Sequence, residues 1–236
     1  MHLSDNEKQL SGAAFLLYAC PVRTKCRLEP REHRLRPLLA IAAGYVLIMV
    51  TIWSRRPVQR WLFWIDAAFF FCAAVMASRK QPLEFPRLDF SVVVIAAGAA
   101  LACLMVLVAA QLGTLHGLFG TPRPLLHAGM YLIWAMVQQW IQQAFFFTRL
   151  EQVVHGGVLA SFTAAVMFGL AHLPNPVLAP LTFLGGWLLS ELYRRYRSIL
   201  PLGIAHGLVG LAIALSVPDH INHHMRVGLG YLLYRG

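Results

Sequence analysis

From residue 37 onward the chain is written as apolar runs broken by short polar intervals. The runs fall at about 37–54, 61–78, 91–112, 125–150, 158–172, 177–193 and 199–217. A helix that crosses a bilayer needs about 20 mostly apolar residues, so the pattern predicts roughly seven spanning or partly spanning segments, within about six to eight. Strand-type alternation is missing, and in lipid a helix satisfies its own backbone groups where an open strand does not. The predicted fold is an all-α, polytopic transmembrane helical bundle. Residues 1–36 read as a polar, basic N-terminal segment, 37–217 as the bundle, and 218–236 as a short His-containing C-terminal tail. Within the bundle, 37–112 holds one intramembrane charge, Asp66, whereas 125–217 holds nearly every other intramembrane polar group. The break between them, "GTLHGLFGTPRP", carries the Gly and Pro punctuation of a loop.

Composition strengthens this picture. The 236 residues are 58% hydrophobic and only 13% charged, against about 25% charged in a soluble domain. The net charge of +10 would suit a nucleic-acid partner if it were gathered on one polar face, but its placement excludes that class. Arg23, Lys25, Arg27, Arg31, Arg34 and Arg36 precede the first run, Arg79, Lys80 and Arg87 follow the second, and Arg194, Arg195 and Arg197 follow the sixth. With seven alternating spans these groups share one side, and Arg55, Arg56 and Arg60 lie opposite. The positive-inside rule then predicts a multi-pass protein of the cell membrane with its N-terminus in the cytoplasm and the lipid bilayer as its first partner. The short apolar core ending at Cys20 follows Asp5 and Glu7, the wrong leader for a signal peptide. Cys20, Cys26, Cys72 and Cys103 form no C-x-x-C pair, so neither disulfides nor a thiolate metal site is expected.

The polar residues inside apolar runs need a reason. In "VQQWIQQAFFFTRL" a helix turning about 100° per residue puts Gln138, Gln142, Gln139 and Gln143 on one face, with Tyr131 and Arg149 near its edge. An isolated glutamine in a span is ordinary interhelical glue; four on one stripe point to a lined cavity. The fifth run ends "MFGLAHLPNP", where Phe168 and His172 share a face and Pro174 and Pro176 stop the helix. In the seventh run, "LPLGIAHGLVG", His206 lies inside the helix with Gly207 and Gly210 leaving space beside it. Ionisable groups in spans are functional candidates by default. Glu191 has two readings: an ion pair with Arg194 or Arg195 on its own helix, or a carboxylate for the site. "PDHINHHMRVG" gathers His220, His223 and His224, a weak imidazole metal signal with only Asp219 as a further ligand.

The order of these pieces resembles the CPBP family, the type II CAAX prenyl proteases with the bacteriocin-processing and Abi-like membrane endopeptidases. The family's first motif, E-E-x-x-x-R, falls on "QQWIQQ", so Gln138 and Gln139 stand for the glutamates and Gln143 for the arginine. Its second, F-x-x-x-H, falls on Phe168 and His172, followed by "LPNP" with Asn175. Its third, H-x-x-x-N, falls on His206 but meets Gly210 where the asparagine belongs. The resemblance implies an intramembrane site in which a glutamate and the second-motif histidine activate water and the third motif stabilises the oxyanion. No cofactor is required by that scheme, and a divalent metal is left open. This chain is divergent at the decisive positions, because a carboxamide does not titrate and Gly210 has no side chain. Replacing the glutamates alone would strand a buried arginine at a cost of several kcal/mol; here the arginine is glutamine too, so a charged network has become a neutral one.

Three functions follow as expectations. The first is an endopeptidase acting on membrane-associated proteins or peptides, CAAX-prenylated ones included, through His172 and His206, with Gln138, Gln139 and Glu191 as further site residues and Gln142, Gln143, Phe168, Asn175 and Gly210 in support. The second is a catalytically inactive pseudoprotease that binds or regulates a membrane partner. The third, a metal or small-solute carrier, lacks the inverted repeat and paired broken helices of transporters. Seven alternating spans open His206's helix on the cytoplasmic side and close His172's toward the other, so their convergence demands short or tilted helices.

Overall fold

The structure, a computed structural model, describes residues 31–78, 88–115 and 123–235. The basic cluster before Arg31, with Cys20 and Cys26, and the group Arg79, Lys80 and Arg87 lie outside the described residues. The described residues form helices joined by turns, with no strand among them. The chain runs through α1 (Arg31–Ile52), α2 (Arg56–Ser78), α3 (Leu88–Leu112) and α4 (Pro124–Gln139). It continues as a π-helix (Trp140–Phe147), α5 (Thr148–Val153), α6 (Gly157–Leu170), α7 (Leu178–Tyr196) and α8 (Leu200–Ser216). A short α9 (Asp219–Asn222), a 3₁₀ turn (His223–Met225) and α10 (Gly228–Leu232) follow.

Each of the seven apolar runs is helical. Three helices are long and apolar enough to cross a membrane on their own, at Arg34–Ile52, Arg56–Met76 and Leu88–Leu112; α8 joined to the α9 turn, bent by 116°, is a fourth candidate. By length, α6 with 14 residues covers about 21 Å at 1.5 Å per residue, short of a hydrocarbon core of about 30 Å. Helix α1 starts before the position expected from Pro37, which sits inside it. Proline there forgoes one backbone bond, and the helix continues past it toward Arg31.

Packing separates the elements. Helices α3 and α4 both lie against α8, and α6 lies against α7. Lipid tails are as apolar as leucine, so such pairs depend on close van der Waals fit. Glycine supplies it: a Cβ on Gly98 would stand 2.8 Å from Ala205 Cβ, and one on Gly207 would stand 2.6 Å from Leu132. Helix α2 meets the rest through an aromatic cluster. Phe70 and Phe145 are 4.9 Å apart edge-to-face, Phe145 and Phe146 are 5.0 Å apart, and Phe147 packs on Tyr193 at 5.8 Å. Each such pair adds about 0.5–1.5 kcal/mol beyond burial. Elsewhere α2 and α3 expose large apolar side chains, Met76 and Leu107 among them, as a lipid-facing surface requires.

The short His-containing tail folds back onto the turn between α6 and α7. Asn175 is fully buried. Its Nδ2 donates to the Asn222 carbonyl (2.9 Å), Asn222 Oδ1 (3.0 Å) and the Arg226 carbonyl (3.1 Å). Its Oδ1 accepts from the backbone N–H groups of Val177 and Leu178, capping the start of α7. Gly228 donates to the Leu173 carbonyl at 2.8 Å. It does so with φ +55° and with Ile52's carbonyl where a side chain would begin, two demands only glycine meets cheaply.

Candidate functional site

A cavity of about 1220 Å³ runs between α1, α2, α3, the α4–π segment, α6, α7 and α8. Its walls are largely apolar. The polar groups that line it include Tyr131, Gln138, Gln142, His172 and His206, with Thr51, Gln59 and Asp66 from α1 and α2. Asp66 is the one charged side chain among the described lining residues.

The four glutamines divide into two pairs. Gln138 and Gln142 belong to the cavity wall, and Gln139 and Gln143 stand fully buried behind it. The split follows from four-residue spacing, which stacks 138 on 142 and 139 on 143. Gln143 Nε2 donates to Gln139 Oε1 at 3.1 Å, and Gln139 Nε2 lies 2.7 Å from His206 Nδ1. Gln142 Nε2 reaches the Gly186 carbonyl at 3.4 Å; a Cβ on Gly186 would stand 2.9 Å from that nitrogen. The chain takes π geometry from Trp140 through Phe147, with the Thr148 hydroxyl reaching back five residues to the Gln143 carbonyl at 2.9 Å. Such wide turns are rare and concentrate at functional sites.

The histidines converge. His172 lies just beyond α6, in the turn that "LPNP" forces, and its Nδ1 is 2.7 Å from the Phe168 carbonyl. The Phe168 ring meets His172 edge-on at 4.7 Å and His206 at 5.7 Å between centroids. The shortness of α6 answers the problem of depth, because the helix closes at the level where His206 emerges from α8.

These contacts set the tautomers. A backbone carbonyl has no proton, so His172 Nδ1 carries the hydrogen and its Nε2 holds a lone pair when the ring is neutral. An amide nitrogen offers only hydrogens, so His206 Nδ1 is the lone-pair nitrogen and its Nε2 carries the proton. One imidazole presents an acceptor and the other a donor.

Other expected site residues go elsewhere. Glu191 does not line the cavity; it accepts from Arg194 Nη2 at 2.7 Å and Nε at 3.0 Å on its own helix. The ion-pair reading holds, and the structure does not bring this carboxylate to the histidines. Asn175 serves the turn and the tail. Arg149 folds back onto the Phe145 carbonyl (2.9 Å) and ring (3.9 Å). His223 stacks on Tyr231 at 4.1 Å and His224 pairs with Asp219 at 3.0 Å, so the C-terminal histidines do not converge. Among the described residues no three His, Cys, Asp or Glu side chains gather as a metal site, whereas a catalytic zinc takes three protein ligands. Of the cavity's polar residues, Thr51 and Gln59 escaped the sequence argument, and Asp66, remote in the chain, and Tyr131, on the glutamine edge, entered it without a role.

Residues 120–212 match the protein family described as "Type II CAAX prenyl endopeptidase Rce1-like". This segment is Rce1-like. It runs across the π-helix, both histidines and Gly210, consistent with the CPBP family, and leaves residues 1–119 and 213–236 outside the match. No curated protein and no solved structure matches the chain. The cavity therefore joins an Rce1-like segment to walls contributed by α1, α2 and α3, which precede it.

Proposed function

We propose that the chain is an intramembrane endopeptidase that hydrolyses a peptide bond in a membrane-associated protein or peptide, with a CAAX-type prenylated C-terminus as the substrate class the family description suggests. The observation that carries this reading is the pair of histidines on one aromatic ring, each anchored through its Nδ1 so that its Nε2 is left for a reacting group. His172 Nε2 takes a proton from water as the water oxygen attacks the scissile carbonyl carbon. The carbonyl electrons move to oxygen, where His206 Nε2–H donates to the developing charge. Collapse of the tetrahedral intermediate breaks the C–N bond, and the proton on His172 Nε2 passes to the leaving amine. Gln139 and Gln143 hold His206 in its donor form, a task that needs hydrogen bonds and no charge. The same proposal crosses the cell membrane about seven times with the N-terminus cytoplasmic, the arrangement that the basic clusters favour.

The test uses the full chain reconstituted in liposomes with two quenched fluorescent peptide sets, one prenylated on a C-terminal cysteine and one unmodified. Cleavage by the wild-type chain that is lost in His172→Ala and in His206→Ala is the expected result. Turnover that survives both substitutions removes the mechanism.

A second reading has its own observation. The motif's carboxylate and arginine positions are occupied by a neutral, mutually bonded glutamine pair, which suits a pseudoprotease that binds without cutting. It is favoured if the peptides bind, by fluorescence anisotropy, with no turnover and with a Kd indifferent to His172→Ala. On that reading Gln138→Glu, which puts a carboxylate on the cavity wall, produces cleavage where there was none.

A further inference from the structure

We infer that Tyr131 is a catalytic residue: its phenol takes the place of the side chain missing at Gly210 and supplies a second hydrogen-bond donor to the oxyanion. The inference rests on the endopeptidase reading. A Cβ built on Gly210 would coincide with the Tyr131 hydroxyl and stand 2.8 Å from the ring carbons Cε1 and Cζ. The notch in α8 at residue 210 is therefore filled from α4 by a phenol, and its oxygen lies where a longer side chain at 210 would begin. Residue 210 is one helical turn beyond His206, a spacing that puts neighbouring side chains about 5–6 Å apart. Tyr131, His206, His172 and Gly210 all line the one cavity. Among the described residues the Tyr131 hydroxyl has no hydrogen-bond partner, so its proton is free for a ligand.

The chemistry suits the position. A phenol donates one O–H, as an asparagine amide donates an N–H, and it stays neutral in apolar surroundings, where an oxyanion gains most from a fixed donor. Its rigid ring enters from a neighbouring helix, so the donor's depth is set by α4 packing on α8. The glycine is then a requirement, because any side chain at 210 competes with the phenol for the same space.

The experiment is a set of variants in the liposome cleavage assay with the same quenched peptides. Tyr131→Phe keeps the ring and removes the donor; kcat is expected to fall about 10²-fold or more with KM nearly unchanged. Gly210→Asn alone is expected to lose activity by collision with the phenol. Tyr131→Ala with Gly210→Asn is expected to recover much of the Tyr131→Ala loss, since an amide then occupies the vacated notch. If the wild type cleaves, His172→Ala does not, and Tyr131→Phe keeps kcat within about 3-fold, the role of Tyr131 is overturned while the endopeptidase reading stands. If Tyr131→Phe lowers thermal stability and kcat together and the paired variant recovers neither, the phenol is only packing. Absence of turnover from every peptide by the wild-type chain overturns both.

Discussion

The first three helices and the Rce1-like segment meet the membrane differently. Helices α1 to α3 are long and turn large apolar side chains outward, with Asp66 as their one charge at the cavity. The later helices are shorter or interrupted, place glycine at their contacts, and bury glutamine, asparagine and serine. The first group resembles a wall fitted to lipid, where almost any apolar residue suffices. The second resembles the interior of a soluble enzyme, where shape and hydrogen bonding decide. Both groups line the cavity, the first three helices mostly with apolar side chains and the later ones with the two histidines and the glutamines.

That contrast can be broken at several points. The largest effect is expected at His172→Ala, which removes the proposed general base: kcat should fall about 10²–10⁴-fold with unfolding temperature little changed, read by peptide cleavage beside thermal unfolding. Next is Asn175→Ala, which strands several buried backbone groups at once and should cost about 2–3 kcal/mol, measured by denaturant unfolding in detergent, with the tail becoming open to carboxypeptidase. Gly98→Leu attacks the seam between wall and interior; its side chain drives α3 off Ala205 beside His206 and should cost about 1–3 kcal/mol together with lowered cleavage. The smallest is Met76→Ala on the exposed apolar surface of α2, away from the cavity lining, expected within about 0.5 kcal/mol and with unchanged cleavage. A large loss there, or none at Gly98, would show that the two regions are not built on different principles.

The sequence revealed unequal amounts of these two parts. The seven helical runs were legible because apolar length is a coarse signal that survives any detail of packing. His172 and His206 were legible because Pro174 and Pro176 had to end one helix and the glycines had to leave room in another. The division of the glutamines was only half visible. Helical spacing put all four on one face, but which pair faces the cavity depends on where α8 lies. Glu191 stayed with two readings because spacing places Arg194 on its face of the helix but does not say which face of α7 meets the cavity. Asp66 and Tyr131 depend on contacts between residues distant in the chain, which spacing does not encode. The docking of the tail was the least legible, since Asn175 and Asn222 lie 47 residues apart and spacing does not encode their contact.

That docking has a consequence for the order in which the protein is made. The turn carrying His172 is closed by Asn222, Arg226 and Gly228, which leave the ribosome some fifty residues after it. A nascent chain whose helices are already inserted still has the His172 turn unlatched until synthesis has passed Gly228, so the last residues of the tail, and not the helices alone, complete the candidate site.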